Sequence, residues 1–350
     1  MACMNLFAAS LLLLSCCAQS VISFVAPTTS AAAARQRHKI IPMKNLAAHN
    51  GMPESNIKIN NCGPLESLCS ISLRACDLMT PLITSIYDEL ILSASSSGSD
   101  DVKKVKNDNT AFTIADGTVQ RMLMNCLFSN VKFRDVVGEE EEEGEGEGDG
   151  NIDDNWWYQV QGLTIPKHIQ PLVDSTRLEI ESLAKLSLVS NNHDAYYAKL
   201  TVFIDPIDGT REFTNGKGEQ CSICIGFADE HGKAIAGVVY RPLSKPSPTW
   251  VAGAKSEDYS AYYFGEMEDR STSSALLSTN GSISLFLESL IVELKVPRIK
   301  AGGAGNKMMM LLQQSISVVD KKDLSDAHHG HLYIQVSQFI LLLLGYIVIM

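Results

Sequence analysis

The stretch that most constrains this chain runs from Leu200 to Phe213. Leu200, Val202, Phe203 and Ile204 form an apolar, β-branched run that reads as a buried strand. Asp205 falls where that strand is expected to end, and Pro206, having no N–H, leaves the ladder. Asp205 and Asp208 lie three residues apart in one turn and can converge on a common point. Converging carboxylates repel one another unless a cation sits between them. Gly209 lets the backbone approach a ligand closely, and Thr210 is placed to open a helix, whose first N–H groups favour an anion. A cation on one side and an anion on the other is the arrangement a phosphate ester needs. A strand followed by an Asp-rich turn is the plainer reading of any one of these residues, and the full string argues against it.

The string Asp205–Phe213 continues through Cys221, Cys224 and Gly226, then Gly237–Pro242, and a third stretch, Lys300–Lys307, carries Gly302, Gly303 and Gly305. Together these resemble the signature of the lithium-sensitive, magnesium-dependent phosphomonoesterases, the inositol monophosphatase-like superfamily. Within it they look most like the 3'(2'),5'-bisphosphate nucleotidase branch. The resemblance covers about residues 100 to 319 and implies an α/β fold, a layered α-β-α-β-α sandwich of the sugar phosphatase type. It also implies Mg²⁺ as cofactor, with Glu139, Asp205, Asp208 and the carbonyl of Ile207 as ligands. Asp116 and Thr210 would relay the proton of the attacking water. Gly209 and Thr210 would hold the phosphate, and Gly303 and Lys307 would lie by the substrate. The implied substrate is 3'-phosphoadenosine 5'-phosphate, hydrolysed to AMP and phosphate. The alternatives are an inositol phosphate as substrate, or a catalytically impaired, truncated relative.

Some of these residues have a bland reading by themselves. Asp116, taken alone, is an acidic residue before a helix expected at Thr118–Leu127, and hence an N-cap. Glu139 opens an acidic run. Residues 141–154, rich in Glu, Gly and Asp, read as a solvated disordered loop, leaving Glu139 as the ordered ligand.

Two departures from the family pattern stand out. Relatives carry an Arg-Ser-His near the nucleotide, whereas the corresponding stretch here, Ser278–Ser282, has neither Arg nor His. Relatives also continue to a Trp-Asp that completes the metal site. Here residues 320–350 form an atypical tail. Asp320, Asp323 and Asp326 are possible substitutes outside that motif, and His328, His329 and His331 read as polar tail. The apolar end from Phe339 is explained most simply by a truncated or mis-joined gene model, so the last layer of the fold is expected to be incomplete.

Residues 1–53 contain no Asp or Glu. Leu6–Cys17 suits a signal-peptide core, and Arg35, Arg37, His38 and Lys39 follow in a Ser/Thr/Ala-rich, transit-like stretch. Residues 1–45 therefore read as a leader addressed to a plastid, or alternatively to the secretory pathway, and 46–319 as the phosphatase domain. A formal net charge of −11 argues against general nucleic-acid binding. No membrane is expected for the mature domain; the expected partner is a small phosphate ester. Cys62, Cys69 and Cys76 recur on one helical face and read as core, while Cys221 and Cys224 sit in a strand, pointing to opposite faces. Residues 63–92 read as a helix kinked or divided by Pro81. Helices are also expected over 166–188 and 285–294, and a hairpin is expected around Asp229–Gly232.

Overall fold

The computed structural model describes residues 38–40, 63–95, 103–105, 111–140, 154–188, 193–255, 260–264, 276–278, 280–295 and 297–310. The expectations for Cys62, for residues 141–153 and for the tail from Asp320 lie outside these residues.

A mixed seven-stranded sheet forms the frame. In chain order its strands are β1 (His38–Ile40), β4 (Asp135–Gly138), β7 (Thr201–Asp208), β8 (Ser222–Ala228), β9 (Ala234–Arg241), β10 (Thr249–Lys255) and β11 (Ser260–Phe264). Their spatial order is β1-β11-β10-β9-β8-β7-β4. The pairs β4/β7 and β1/β11 are parallel, and the four between them are antiparallel. β1 lies inside the stretch expected to be leader. Small two-stranded pieces pair β2 (Lys103–Val105) with β3 (Ala111–Thr113), β5 (Gln159–Val160) with β6 (Leu163–Thr164), and β12 (Leu276–Ser278) with β13 (Arg298–Lys300).

Alternation along the strands gives the sheet two different faces. Ile223, Ile225 and Phe227 of β8 and Ala236, Val238 and Tyr240 of β9 join the main apolar cluster. That cluster also takes in Leu68, Met79, Ile83 and Ile86 of α1 (Pro64–Ser95) and Val173, Ile180 and Leu183 of α3 (Gln170–Ser187). Between them lies α2 (Ile114–Arg121), continued by a π-helical segment, Met122–Leu127. The opposite face carries Asp205, Ser222 and Cys224. A helix over residues 304–310 lies on it, close enough that a Cβ on Gly305 would stand 2.6 Å from Ser222 Oγ and 2.9 Å from Cys224 Sγ. Helices therefore cover both faces of the sheet, as an α/β layered fold requires. α6 (Leu285–Leu294) occupies its expected span, with Leu285, Phe286 and Val292 exposed.

Four boundaries differ from expectation. Pro81 does not divide α1, which runs unbroken through it. Its ring is exposed, so the carbonyl it leaves without a donor is on the solvent side, while the hydroxyls of Thr80 and Thr84 donate to the carbonyls of Cys76 and Thr80. β7 does not end at Asp205. Its pairing with β8 resumes at Asp208↔Ser222 after an irregularity at the segment containing Pro206. α2 starts four residues before the expected Thr118, because Asp116 reaches back to cap Thr113. α3 starts at Gln170, with Pro171 in its first turn, where a missing N–H costs nothing. The Asp229–Gly232 hairpin is as expected, tied by the N–H groups of His231 and Lys233 donating to the Asp229 carboxylate. Cys69 and Cys76 are fully buried core residues.

Candidate active site

The site gathers where β7 ends. After Asp208 the chain turns through Gly209, at φ 94°, into the short helix α5 (Thr210–Thr214). A second glycine turn meets it from the far end of the chain. A Cβ on Gly209 would stand 3.3 Å from the Gly303 Cα, and Gly303 itself has φ 62°. Both positions need the left-handed backbone that glycine adopts without strain. Two of the sequence-matched strings are thus in van der Waals contact.

Asp208 joins them. Its Oδ1 accepts the N–H of Ala304 at 2.9 Å, and its Oδ2 accepts the N–H of Gly305 at 2.7 Å and the Ser222 hydroxyl at 3.0 Å. It therefore caps the start of the 304–310 helix, and one lone pair on Oδ1 remains. Burial pushes its carboxyl upward. The two backbone donors, Ser222 and the charge of Lys307 pull it back.

Asp205 is different. It is 3% exposed, and neither carboxylate oxygen meets a hydrogen-bond donor. Burial, then the charges of Asp208 and Glu139 and the side-chain contact with the Glu139 carboxyl, hold its carboxyl well above the ordinary carboxylate range, with Asp116 adding to the effect.

On the other side stands Asp116, fully buried at the third position of α2. Its Oδ2 accepts the N–H of Thr113 at 2.8 Å and the Thr113 hydroxyl at 2.5 Å. Its Oδ1 accepts the Thr210 hydroxyl at 3.0 Å, which also lies 3.0 Å from the Ile207 carbonyl. Asp116 is thus a helix-capping residue and a partner of the signature threonine at once. Burial raises its pKa to about 7, opposed by Thr113 and aided by the charge of Glu140.

Glu139 leaves the end of β4, its N–H donating to the Ile204 carbonyl at 2.9 Å, which brings it alongside Asp205. Glu140, next to it, is the buried member of the pair, at 6% exposure. Gln120 of α2 grips Glu140 by both backbone groups, at 2.8 and 2.9 Å. Its neighbour Arg121 donates to the carbonyls of Trp156 and Gln159 and stacks 4.1 Å over the Trp156 ring. Adjacent residues of one helix therefore hold the two ends of the acidic run.

Sequence reasoning missed Gln120, Glu140, Ser222 and Asn280. The Asn280 amide donates to Glu212 Oε1 and Gln220 Oε1, both at 2.9 Å, and Gln220 Oε1 also accepts the N–H of Gly302. The turn without Arg or His in its sequence does receive an arginine. Arg298 of β13 donates to the Ser278 hydroxyl and the Gly281 carbonyl, each at 2.7 Å. Beside this turn a polar pocket of about 150 Å³ is lined by Arg211, Lys217, Asn215, Glu212 and Asn280. Only Gly138 carried a readable signal for Gln120, as a glycine where the strand pattern has no turn. Cys221 and Cys224 have different neighbours, the Gly209 carbonyl for the first and Ser222 for the second, and burial raises both thiols.

The donor set suits a hard divalent ion. Asp205 offers buried oxygens without donors beside Glu139, Asp208 keeps a lone pair on Oδ1, and the Ile207 carbonyl accepts the Thr210 hydroxyl. Among the described residues no three acidic, His or Cys side chains close into a cage. That is compatible with an ion such as Mg²⁺, which keeps several waters and needs only one or two carboxylates.

The inositol monophosphatase family model matches residues 80–319. The chain belongs to the inositol monophosphatase family. Curated relatives include 3'(2'),5'-bisphosphate nucleotidase 1 from Homo sapiens, 26% identical over 212 residues, covering 59% of this chain and 61% of the relative. The Mus musculus protein of the same name is 24% identical over 211 residues, with the same coverage. The chain thus spans about three fifths of the length of these relatives. Among solved structures, the extragenic suppressor protein SuhB from Bartonella henselae is similar at 13% identity and TM-score 0.40, over 71% of this chain and 75% of that one. No helix among the described residues of this family member is long and apolar enough to cross a membrane.

Proposed function

We propose that the chain is a Mg²⁺-dependent phosphomonoesterase that removes the 3'-phosphate of 3'-phosphoadenosine 5'-phosphate. One observation carries the reading: a buried Asp205 without donors stands beside Glu139, and Thr210, on the turn that follows Asp205, donates its hydroxyl to Asp116 of α2. Asp205, Glu139, Asp208 Oδ1 and the Ile207 carbonyl are the groups that would hold the ion. Bound there, it supplies Lewis acidity to the phosphate and to an attacking water.

The chain's own residues then divide the remaining work. The Thr210 hydroxyl has one hydrogen and two acceptors within 3.0 Å. If the Ile207 carbonyl were to hold the ion, that hydrogen would go to Asp116 Oδ1. A lone pair on Thr210 Oγ1 is then directed at water. As the water attacks phosphorus, its proton passes to Thr210 and the proton of Thr210 passes to Asp116, while the bond from phosphorus to the ester oxygen breaks and that oxygen leaves, taking a proton from solvent. An acceptor with a pKa of about 7 is well matched to that transfer near neutral pH. The phosphate rests on the turn of Gly209 and Thr210, with Lys307 supplying charge beside Asp208.

The pocket where Arg211, Lys217 and Asn215 stand beside Glu212 supports a substrate with a second anionic group, which favours a bisphosphate nucleotide. The second reading, an inositol phosphate, is favoured by the turn at Ser278–Gly281, whose Asn280 is committed to Glu212 and Gln220. Phosphate release in Mg²⁺ from 3'-phosphoadenosine 5'-phosphate and from inositol monophosphate decides between them. A higher kcat/KM for the inositol ester would sink the nucleotidase reading. The plastid address rests on the composition of residues 1–45. It is tested by fusing them to a fluorescent protein and watching where the fusion goes.

A further inference from the structure

We infer that Gln120 is a positioning residue that holds Glu139 against the ion site, an inference that rests on the metal reading proposed above. Three observations converge on it. Gln120 is 2% exposed, yet both ends of its amide are satisfied by one residue: Oε1 accepts the N–H of Glu140 and Nε2 donates to the Glu140 carbonyl. The amide thus substitutes for the peptide group of a neighbouring strand just where β4 runs out. Gly138, on the other flank of Glu139, packs on the same amide. A Cβ there would stand 2.3 Å from the amide carbon and from Oε1, so any other residue would displace the amide from this position. Finally, the N–H of Glu139 is bonded to the Ile204 carbonyl, next to Asp205.

Glu139 is therefore held on three sides by its backbone: Ile204 across the ladder, and Gln120 against the residues before and after it. The grip originates on α2 one turn after Asp116, and residues four apart share a helix face. One helix thus sets the position of the proton acceptor and of the Glu139 ligand together. An exposed side chain such as Glu139 binds an ion well only if its backbone does not have to be ordered on binding.

The test uses Gln120→Met, which keeps length and volume but removes both hydrogen bonds, with Thr118→Val as a control. Thr118 lies on the same helix with a buried hydroxyl that has no partner. Calorimetric titration of the intact chain with Mg²⁺ alone should show affinity about 10–100-fold weaker in Gln120→Met, the range for residues that orient ligands, and unchanged in Thr118→Val. The Mg²⁺ needed for half-maximal turnover should rise in step. Turnover should recover in excess Mg²⁺, while KM for the phosphate ester at saturating Mg²⁺ stays put. A folded Gln120→Met with wild-type Mg²⁺ affinity would overturn the role of Gln120 alone. A wild-type chain that binds no Mg²⁺ would overturn the metal reading as well. If Gln120→Met does not fold, amide exchange at Glu140 in the wild-type chain decides. Protection of about a hundredfold or more supports the grip, and exchange at open-loop rates overturns it.

Discussion

Asp205 and Asp208 leave the same strand three residues apart, and both are buried, yet their surroundings are opposite. Asp208 receives three donors from parts of the chain distant in sequence, and helps to fix the 304–310 helix. Asp205 receives none. Native proteins satisfy nearly all buried polar atoms, so an unsatisfied carboxylate is a cost retained for a reason. The difference teaches which of the two carboxylates also serves the fold and which is left wholly to a ligand.

The sharpest way to break that comparison is Asp205→Asn. It should lower Mg²⁺-dependent turnover by about 10²–10³-fold, as loss of a catalytic electrostatic contact does, while leaving the metal-free protein as stable as wild type or more so. Turnover above about a tenth of wild type would remove Asp205 from the metal set. Asp208→Asn should behave the other way in denaturant. Its amide nitrogen, itself a donor, replaces either the acceptor of the Ala304 N–H or the shared acceptor of the Gly305 N–H and the Ser222 hydroxyl, and stability should drop by about 1–3 kcal/mol. Stability changes of the same sign in both variants would break the contrast.

A third test uses pH. The Asp116 carboxyl is raised from 3.8 to about 7 in the folded protein, and Asp205 and Asp208 are raised in the same direction. Between about pH 4 and 7 the folded state then binds more protons than the unfolded chain, so metal-free stability should fall as pH rises through that window, as proton linkage requires. Asp116→Asn should flatten part of the slope, and Mg²⁺ should flatten it further. A metal-free protein that grows more stable from pH 4 to 7 would contradict the raised carboxyls. The smallest effect is expected from deleting residues 141–153. Because Gln120 and Arg121 hold the chain on either side, stability should stay within about 0.5 kcal/mol. Loss of Mg²⁺ binding on deletion would mean that a ligand lies in the run itself.

The parts of this site that were legible in the sequence are those whose chemistry is local. The run before Asp205, the Gly209 turn and the opening of α5 at Thr210 follow from residue types at fixed spacing. So do the Asp229–Gly232 hairpin and the buried Cys69 and Cys76. The capping of α2 was legible too, since Thr113 and Asp116 have the spacing of a capping box. A helix start placed at Thr118 hid it. What could not be read was set by tertiary contact. Gln120 looks like any polar helix residue until β4 is laid beside it. Arg298 reaches the Ser278 turn only because β12 and β13 pair in parallel. The continuation of β7 beyond Pro206 depends on Ser222 standing opposite Asp208.

The bonds that close the site also span long stretches of chain. Thr210 and Asp116 are 94 residues apart, Ala304 and Asp208 are 96 apart, and Gly305 and Asp208 are 97 apart. Contacts at such separation have high contact order, and the entropy of closing those loops is met before the contacts form. Hairpin pairs such as β8 and β9 need no such closure and can form early. A refolding chain should therefore regain much of its sheet before Asp208 finds Ala304 and Gly305. Ligand binding will report the completed topology, and a circular dichroism signal will report only its local half.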